Sequence, residues 1–581
     1  MRRCAKFIVF SILLSFIVSV AGPASANMLS SPQTTRTTIA GESVVIGDHP
    51  FSAVTGFKIL EQGGTAFDAA VAMAATMSLV YAPMNNFFGG DAMIIAYSAK
   101  DKKVYSYNGS GWAPKAATID YYLEKAGIPE TGVLSVQIPG SLAGWMQLLR
   151  DYGTRPLRDI LAPAIHIANN GYELPDRFVG SLNTPSTYNA FNQATKDMFF
   201  LNGKPMKASD MVYNKDYARI LTTMSKMSYQ QAEDYFYRGP IAKRIVDYVK
   251  SEGGIFELAD FAEFKAERVE ASSVNYKGVD VYACPPNSQG WVLLEALNIL
   301  EGYDLKAMGY NSARYIDVMT QALNLALEDR NRYLGDPRFV KNPLGLLTKE
   351  YAKARRENDI VPGKPMADEL KKGSPTEYSD SYYGKTGDTT FMAVADKYGN
   401  IVACTTSICN GFGSGITVPG TGILLNNRMT YFFLEEDFPN YLQPHKRTMQ
   451  TITPSIAMKD RKPYLVFGTP GADVQEQAKL QVFLNVVEWG MDAQLAVEAP
   501  RVQTLHPMGL INVYRNPVPR TLLIEGRVSE ETRKELADMG YIIRSKALWE
   551  YTGMMGCIEI QPNGRKYGGA DPRSDRTAIG W

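Results

Sequence analysis

Thr389 and Thr390 lie in a stretch whose residue types suit nucleophilic catalysis, Gly387-Asp388-Thr389-Thr390-Phe391. A threonine hydroxyl is a weak nucleophile at neutral pH and needs a base beside it, but a threonine at a chain terminus carries that base as its own free α-amine. Cleavage of the Asp388–Thr389 bond would create such a terminus. The stretch therefore predicts a proenzyme that cuts itself. The competing interpretation is that the two threonines only reflect the preference of β-branched residues for strands.

A hairpin is predicted to position Thr389. Two segments rich in Thr, Val, Ile and Ala, residues 389–396 and 401–408, are joined by Lys397-Tyr398-Gly399, which is typical of a three-residue hairpin loop. If the residues that flank this loop face each other, Thr389 lies opposite Ser407. Opposed residues project to the same face with Cβ atoms roughly 4.5–5.5 Å apart, so the Ser407 hydroxyl could hold the Thr389 amine or Oγ. A register slip of one residue would remove this pairing.

A second element offers hydrogen-bond donors. The predicted strand Tyr464-Leu465-Val466-Phe467 is followed by the small-residue loop Gly468-Thr469-Pro470-Gly471-Ala472-Asp473 and then by a helical pattern that reaches Trp489. A loop that opens a helix exposes unpaired backbone N–H groups, and such groups can stabilise a negatively charged oxygen. The loop therefore predicts an oxyanion hole.

Further motifs follow one another in a fixed order along the chain. They are Gly63-Gly64-Thr65-Ala66-Phe67-Asp68-Ala69-Ala70, Phe88-Gly89-Gly90-Asp91, Pro139-Gly140-Ser141-Leu142-Ala143-Gly144, Pro285-Pro286-Asn287-Ser288-Gln289-Gly290, Asp329-Arg330, Gly335-Asp336-Pro337, Pro419-Gly420-Thr421-Gly422-Ile423-Leu424-Leu425-Asn426-Asn427-Arg428-Met429, Lys446-Arg447, Gly468-Thr469-Pro470-Gly471 and Ala570-Asp571-Pro572-Arg573. Together with the threonine stretch they resemble the γ-glutamyltransferase family of N-terminal-nucleophile hydrolases, over nearly the whole chain.

The resemblance implies an α+β fold, an αββα sandwich of two antiparallel sheets between helical layers. It also implies a precursor that cleaves itself into a large subunit, residues 27–388, and a small subunit, residues 389–581, interlocked in one domain. Thr389 would attack first the Asp388 carbonyl and later a substrate amide. The resulting acyl-enzyme would pass its acyl group to water or to an amine, and no cofactor or metal is expected.

The resemblance also assigns roles around the nucleophile. By position, Ser407 is the hydroxyl that supports Thr389, and Gly471 and Ala472 supply the oxyanion N–H groups. The family usually has two glycines where this chain has glycine and alanine. A backbone donor tolerates the alanine if its φ is negative, and negative φ is therefore expected at Ala472. At the far end of the chain, Asp571 and Arg573 are interpreted as a structural clamp on the terminus.

The chain departs from the family where a γ-glutamyl group would be bound. Ile119 stands where an arginine clamps the α-carboxylate, and Tyr431 stands where an acidic residue holds the α-ammonium. Gln450 and Thr451 replace a serine pair. Both charged contacts for a glutamyl head group are therefore absent at these positions, and an altered acyl specificity is predicted.

Two observations bear on what replaces those contacts. Arg428, next to Asn427, either binds a substrate carboxylate or serves as a structural hydrogen-bond hub; the sequence leaves both readings open. Phe88-Gly89-Gly90-Asp91 and the pattern Asp473-x-Gln475-x-Gln477 resemble the acylase and amidohydrolase side of the family. We therefore expect an amidohydrolase or acyltransferase that acts on a small-molecule amide. The alternatives are a true γ-glutamyltransferase that hydrolyses glutathione and an uncleaved, inactive homologue that acts as a binding protein.

Composition and the N-terminus complete the predictions. With 61 Lys+Arg and 60 Asp+Glu, no basic surface for nucleic acid is implied. Basic residues precede an apolar run from Phe7 to Val20, and the cleavage site Ala24-Ser25-Ala26 follows it. This pattern indicates a secretory signal peptide over residues 1–26. We therefore expect a periplasmic or secreted protein with no stable membrane anchor. A retained anchor is the alternative. The cysteines have no metal-ligand spacing, and a disulfide between them stays open.

Two long helices are predicted from apolar periodicity. Thr65–Tyr81 reads as a buried, alanine-rich helix, and Ser312–Tyr333 as an amphipathic helix with one apolar stripe. Lys371–Gly387, just before the predicted cleavage site, has the composition of a mobile linker.

Overall fold

A computed structural model describes residues 36–375, 389–510, 516–550 and 553–581. The predicted signal peptide, Asp388 and the linker from residue 376 to 387 lie outside these ranges.

Strands form much of the described chain. In chain order they are β1 Ile39–Gly41, β2 Val44–Gly47, β3 Asp91–Ser98, β4 Lys103–Gly109, β5 Tyr172–Glu173, β6 Phe200–Leu201, β7 Lys204–Pro205, β8 Met211–Val212, β9 Glu267–Glu270, β10 Ser272–Tyr276, β11 Val279–Ala283, β12 Thr390–Ala395, β13 Ile401–Ser407, β14 Thr417–Val418, β15 Ile423–Leu424, β16 Ser455–Lys459, β17 Lys462–Gly468, β18 Val502–Thr504, β19 Thr521–Ile524, β20 Ile542–Ser545, β21 Gly556–Ile560, β22 Lys566–Ala570 and β23 Thr577–Gly580.

Helices lie between these strands. In chain order they are α1 Pro50–Glu61, α2 Ala66–Val80, α3 Ile119–Glu124, α4 Ser141–Tyr152, α5 Leu157–Asn170, α6 Asp176–Leu182, α7 Pro185–Ala190, α8 Gln193–Phe199, α9 Lys215–Met224, α10 Tyr229–Tyr237, α11 Pro240–Ser251, α12 Leu258–Ala262, α13 Gly290–Leu300, α14 Leu305–Met308, α15 Ala313–Tyr333, α16 Lys349–Asp359, α17 Val474–Val487, α18 Ala493–Glu498 and α19 Glu530–Met539. Short 3₁₀ turns cover Val133–Ser135, Leu344–Leu347 and Arg428–Tyr431.

Two antiparallel sheets form the centre of the described structure. Sheet I has the strand order β1-β22-β21-β17-β16-β11-β10, and sheet II the order β23-β2-β12-β13-β3-β4-β9. Each sheet contains strands from before and after Thr389. In sheet II, for example, β12 and β13 lie between β2 and β3. Neither sheet could therefore be completed by the residues on one side of Thr389 alone.

The helices cover the outer faces of both sheets, which gives the αββα arrangement. Alternate residues of a strand face opposite sides of its sheet. In β12, Phe391, Ala393 and Ala395 pack between the sheets, while Met392 and Val394 pack with the helices outside sheet II. A strand buried on both faces reads as a nearly continuous apolar run, and β12 shows that pattern. The predicted fold class is confirmed.

The two long predicted helices are present, but one has a different environment. Helix α2 begins after Thr65, whose backbone N–H and hydroxyl both donate to the Asp68 carboxylate, at 2.8 and 2.9 Å. Helix α15 buries its predicted apolar stripe, and its polar face is largely buried as well. Polar residues such as Asp317 and Asn324 are buried because α13, α19 and β18 pack around the helix.

A buried charge cluster holds the C-terminal segment. We refer to Arg501, Glu525, Arg527, Asp571 and Arg573 as the C-terminal charge cluster; all five side chains are fully buried. The Arg573 guanidinium bridges the two acids, at 2.9 Å from Asp571 and 2.6 Å from Glu525. Burial alone would raise the pKa of Asp571, but Arg501 and Arg573 outweigh it and hold that pKa well below its usual range. The interpretation of Asp571 and Arg573 as a structural clamp is confirmed.

Candidate active site

The predicted hairpin register is confirmed. Thr390 pairs with Thr406, and the Asp396 N–H donates to the Asn400 carbonyl at 3.0 Å. Gly399 adopts φ of +88°, as the last position of a three-residue loop requires. One step further along the same register, Thr389 lies opposite Ser407.

The residues near Thr389 come from two strands, β13 and β3, and from helix α17. Ser407 pairs in turn with Asp91 at the start of β3. The Gln475 side chain, in the first turn of α17, donates from Nε2 to the Thr389 Oγ at 3.3 Å. Thr389 is only 2% exposed, and both Ser407 and Gln475 are fully buried. We call Thr389, Ser407, Gly471, Ala472 and Gln475 the threonine cluster.

The Ser407 hydroxyl has a defined orientation. Its Oγ accepts a hydrogen bond from the Cys409 N–H at 2.9 Å. An oxygen that accepts from a backbone donor keeps its own hydrogen for donation elsewhere. The Ser407 hydroxyl is therefore prepared to act as a donor at the Thr389 end of the hairpin.

The loop between β17 and α17 has the form expected of an anion site. Gly471 and Ala472 lie directly before the helix, where their carbonyls accept from the Val474 and Gln475 N–H groups at 2.9 and 3.1 Å. Within the described ranges, neither the Gly471 N–H nor the Ala472 N–H donates a hydrogen bond to protein. Two adjacent donors at a helix start are therefore available to a developing oxyanion.

Ala472 corrects one expectation. Its φ is +48°, not negative. Non-glycine residues in this left-handed region cost about 1–2 kcal/mol, because Cβ approaches the following carbonyl. The loop is nevertheless held in place, since the Ala472 carbonyl also accepts from Gln289 Nε2 at 3.4 Å.

Asp91 and Arg428 form a buried ion pair beside the cluster. Arg428 Nε lies 3.3 Å from the Asp91 carboxylate, and both side chains are fully buried. The carboxylate also accepts from Gln137 Nε2 at 2.7 Å, Gln450 Nε2 at 2.9 Å and the Gly111 N–H at 2.9 Å. Burial raises the pKa of Asp91, while Arg428, Gln450 and the Gly111 N–H oppose that rise by stabilising the charged form. The hydrogen bonds converge on Asp91, and Arg428 contributes an ion pair to it. Both roles considered for Arg428, the structural hub and the contact with a substrate carboxylate, stay predictions.

The substrate-binding positions proposed from the sequence fall into one neighbourhood around the turn Arg428–Tyr431. The Tyr431 hydroxyl is 3.4 Å from the Thr451 Oγ, and the Arg428 guanidinium carbon is 5.5 Å from the centre of the Tyr431 ring. Ile119, at the start of α3, packs on the apolar cluster that includes Met429. The structure thus brings together residues that are more than 300 positions apart in the chain.

Both polar atoms of the Asn427 side chain form hydrogen bonds with the backbone. Its Nδ2 donates to the Glu130 carbonyl at 2.8 Å, and its Oδ1 accepts from the Asn410 N–H at 3.0 Å. This arrangement fixes the loop before the Arg428–Tyr431 turn. A direct contact between Asn427 and substrate stays a prediction.

Sequence reasoning missed three buried residues that connect these parts: Asp91, Gln289 and Gln475. Gln289 joins the two halves of the site, because its Nε2 donates to the Thr451 carbonyl at 3.1 Å as well as to Ala472. Its Oε1 accepts from Arg330, which also pairs with Asp473. All three lie inside motifs already recognised in the sequence, so the signal was present. Their individual roles depended on contacts between distant segments.

A cavity lies beyond Arg330, and its described lining includes no residue of the threonine cluster. It has a volume of about 440 Å³ and lies next to Met508. The Met508 carbonyl accepts hydrogen bonds from Arg330 Nη2 at 3.2 Å and from Asn331 Nδ2 at 2.9 Å. Its lining combines apolar and acidic side chains, among them Phe438, Pro507, Met508, Asp368 and Glu369.

Three further features of the described residues bear on the predictions. No group of His, Cys, Asp or Glu in the described chain is arranged to hold a metal ion. Cys284, Cys404, Cys409 and Cys557 are buried and form no disulfide with one another. Among the helices of the described segments, none has both the length and the apolar character needed to cross a membrane.

Comparisons with known proteins identify the family. A family model described as gamma-glutamyltranspeptidase matches residues 52–581. The glutathione hydrolase-like YwrD proenzyme of Bacillus subtilis (strain 168) is 34% identical over 94% of this chain and 99% of its own length. The glutathione hydrolase proenzyme of Escherichia coli (strain K12) is 33% identical, over 89% of this chain and 88% of its own.

Acylases are also similar to this chain. The acylase ACY 1 proenzyme of Pseudomonas sp. (strain SE83) is 30% identical over 92% of this chain and 93% of its own. The crystal structure of cephalosporin acylase from Bacillus halodurans superposes with a TM-score of 0.85 at 29% identity, covering 95% of this chain and 98% of that one. The chain therefore belongs to the gamma-glutamyltranspeptidase family and has the αββα fold of its N-terminal-nucleophile hydrolases.

Proposed function

We propose that the protein is an autocatalytic amidohydrolase or acyltransferase that cleaves an amide through an acyl-threonine intermediate. The observation that carries this proposal is the position of Thr389. It is buried directly before β12, one register step beyond the Thr390–Thr406 pair and therefore opposite Ser407. Its Oγ accepts a hydrogen bond from Gln475, whose backbone N–H donates to the Ala472 carbonyl of the predicted oxyanion loop. The curated relatives are named proenzymes, which agrees with a chain that processes itself.

The first reaction is self-cleavage. The Thr389 Oγ attacks the Asp388 carbonyl carbon, the C–N bond breaks as the hydroxyl proton passes to the Thr389 nitrogen, and the chain is transiently held by an ester. Water then hydrolyses the ester, which leaves the Asp388 carboxylate on the large subunit and a free α-amine on Thr389. The subunits, residues 27–388 and 389–581, stay associated because both sheets contain strands from each.

The second reaction is turnover. The Thr389 α-amine takes the Oγ proton as Oγ attacks the substrate carbonyl, and the Gly471 and Ala472 N–H groups stabilise the tetrahedral oxyanion. The C–N bond breaks, and the leaving amine receives its proton from the α-ammonium. Water, or an acceptor amine, then attacks the acyl-threonine ester by the same proton transfers in reverse. Ser407 donates a hydrogen bond that orients the nucleophile.

We further propose that the acyl group is not γ-glutamyl. The α-ammonium of a γ-glutamyl group needs an acidic side chain that can accept its hydrogen bonds, but Tyr431 offers only a phenol. The Asp91 carboxylate already accepts from Gln137, Gln450 and the Gly111 N–H and pairs with Arg428. Asp91 also balances the charge of Arg428. The resemblance to acylases supports this choice, while the glutathione hydrolase relatives keep a true γ-glutamyltransferase as the alternative.

The decisive experiment on the chemistry compares wild type with Thr389→Ala. Wild type should give two chains on a denaturing gel, with Thr389 as the N-terminus of the smaller chain by sequencing. Thr389→Ala should remain one chain and be inactive. A wild type that stays uncleaved after prolonged incubation would contradict the proposal and favour the binding-protein alternative.

Substrate choice is tested separately on the cleaved enzyme. kcat/KM is measured for a γ-glutamyl anilide and for the matching glutaryl anilide, which lacks the α-amine. Each missing hydrogen bond to a charged group costs ~1.5–3 kcal/mol, so the loss of both glutamyl contacts corresponds to roughly 10²–10⁴ in kcat/KM. The Ile119→Arg/Tyr431→Asp double variant should gain γ-glutamyl activity and lose native activity. A tenfold preference of wild type for the γ-glutamyl compound would return the protein to the glutathione-hydrolysing class.

A further inference from the structure

Gln475 contacts the atom that the proposed mechanism uses as nucleophile. Its side chain is fully buried, and Nε2 lies 3.3 Å from the Thr389 Oγ. Gln475 is in the first turn of α17, directly after the Gly471-Ala472 loop. The helix start thus places a side-chain donor against Thr389, and the Gln475 backbone N–H donates to the Ala472 carbonyl of the adjoining loop at 3.1 Å.

The orientation of the Gln475 amide follows from its second partner. The Thr453 backbone N–H donates to Gln475 Oε1 at 3.3 Å. A backbone N–H can only donate, so the oxygen of the amide must face Thr453 and the NH₂ group must face Thr389. The Gln475 side chain is therefore a donor toward the Thr389 Oγ.

Helix α17 also holds Thr453 in place. The Lys479 ammonium, one turn after Gln475, donates to the Thr453 carbonyl at 2.8 Å and to the Ser455 Oγ at 3.1 Å. Lys479 is fully buried and paired with Glu476 at 2.8 Å. This support leaves the Gln475 amide little freedom to rotate away from Thr389.

We propose that Gln475 is a catalytic residue that donates a hydrogen bond to the Thr389 Oγ during acyl transfer. This inference rests on the proposed function. As Oγ loses its proton to the α-amine and forms the C–O bond, the Gln475 N–H stabilises the negative charge that develops on Oγ. It acts again when the acyl C–O bond breaks and Oγ leaves. A carboxamide exchanges no proton in either step, so the α-amine remains the base.

The test begins with Gln475→Met, which keeps the length and the apolar volume but removes the donor. One hydrogen bond to a developing charge is worth about 10- to 100-fold in rate. In the cleaved enzyme, kcat should fall by about that factor while KM changes less than threefold. A kcat within twofold of wild type would overturn the proposal.

Gln475→Glu supplies a readout that a purely structural role would not move. A glutamic acid at this position can donate only when it is protonated. The ratio of kcat for Gln475→Glu to kcat for wild type should therefore rise as the pH falls from 9 to 6. A ratio that does not depend on pH would overturn the proposal, and this measurement decides the matter if Gln475→Met fails to fold or to process.

Gln481→Met is the matched control. Gln481 is a buried glutamine on the same helix that also bridges backbone groups, donating to the Val502 carbonyl at 2.8 Å and accepting from the Val502 N–H at 2.9 Å. Its loss should lower the melting temperature without changing kcat more than twofold. Failure of the proposed function is distinguished by N-terminal sequencing: without a Thr389 terminus in wild type, the mechanism itself is wrong, whatever the Gln475 variants do.

Discussion

The threonine cluster and the C-terminal charge cluster are both buried and polar, but they are built from different groups. The C-terminal charge cluster consists of full charges, and each of its acids accepts from two arginines and from backbone N–H groups as well. The side chains of the threonine cluster are uncharged, and the Gly471 and Ala472 N–H groups have no protein acceptor in the described part of the chain. A cluster whose charges are all paired stabilises the fold. A neutral cluster with unused donors can instead stabilise a charge that appears only during a reaction.

The energetic consequence is different in the two places. Removing one partner from a buried ion pair leaves an uncompensated charge and costs about 3–5 kcal/mol of stability. Removing one neutral side chain from the threonine cluster costs the resting protein less, about 1–3 kcal/mol where a buried donor such as the Cys409 N–H loses its acceptor. Its main effect is on the transition state, where the charge is present. The predictions below separate these two effects, from the largest to the smallest.

Asp571→Asn should produce the largest loss of stability. It leaves Arg501 and Arg573 short of one negative charge in a fully buried site, so the free energy of unfolding should fall by about 3–5 kcal/mol. Urea unfolding in the single-chain Thr389→Ala background measures the effect. Asp538→Asn is the control, since its ion pair with Lys534 is exposed and contributes about 0–1 kcal/mol. Equal losses for the two variants would contradict the comparison.

Ser407→Ala should affect chemistry more than stability. The loss of one hydrogen bond to the nucleophile corresponds to ~1.5–3 kcal/mol, or roughly 10- to 100-fold in kcat. Steady-state kinetics of the cleaved enzyme provide the measurement. Thr390→Val is the control, because the Thr390 hydroxyl bonds the Thr406 hydroxyl at 2.7 Å on the other face of the hairpin. If both variants lose kcat equally, Ser407 has no special role.

The two clusters should also respond to pH in separate ranges. An unperturbed α-amine titrates near pH ~7.7–8.0 and must be neutral to accept the Thr389 proton, so kcat/KM should rise up to that range. Asp571 has a lowered pKa in the folded state. Its contribution to stability is therefore complete above the unfolded pKa of about 4 and is lost as the pH falls below it.

Measured by denaturant unfolding, the difference in stability between wild type and Asp571→Asn should shrink toward pH 3, while the pH profile of activity stays the same. A shift in the activity profile caused by Asp571→Asn would show that the two clusters are not independent.

Ala472→Gly should have the smallest effect. Glycine adopts φ of +48° without the Cβ penalty, so stability should rise by about 0.5–1 kcal/mol. Ala126→Gly is the control, since Ala126 has φ of +61° in a turn outside the clusters. Both should stabilise the protein, but only Ala472→Gly should change kcat, by a few-fold, because it loosens the oxyanion loop. A loss of stability at both positions would show that backbone strain is not the governing factor.

Much of the site could be predicted because the relevant signals are local. The hairpin register follows from the three-residue loop with Gly399 and from the length of two apolar strands, so the Thr389–Ser407 pairing required no tertiary information. The small-residue loop before α17 likewise placed Gly471 and Ala472. Ordered motifs supplied the family and hence the αββα fold.

Other features depended on which segments meet in space. The burial of α15 on nearly all sides follows from packing by α13, α19 and β18, which its own periodicity does not reveal. Ala472 has a positive φ in the turn that joins β17 to α17. In this conformation the Ala472 carbonyl accepts a hydrogen bond from Gln289, which comes from a distant part of the chain. The ion pair between Arg428 and Asp91 joins two residues that lie on opposite sides of Thr389 and far apart in the chain.

The sequence by itself therefore determined the nucleophile candidate, its hairpin, the oxyanion loop and the family, because each is encoded by neighbouring residues or by ordered motifs. Only the tertiary structure decided that Gln475 reaches Thr389, that Gln289 joins the two halves of the site and that Asp91 neutralises Arg428. The physical reason is that a buried polar group must find its hydrogen-bond partners, and those partners come from whichever segments the two sheets bring together.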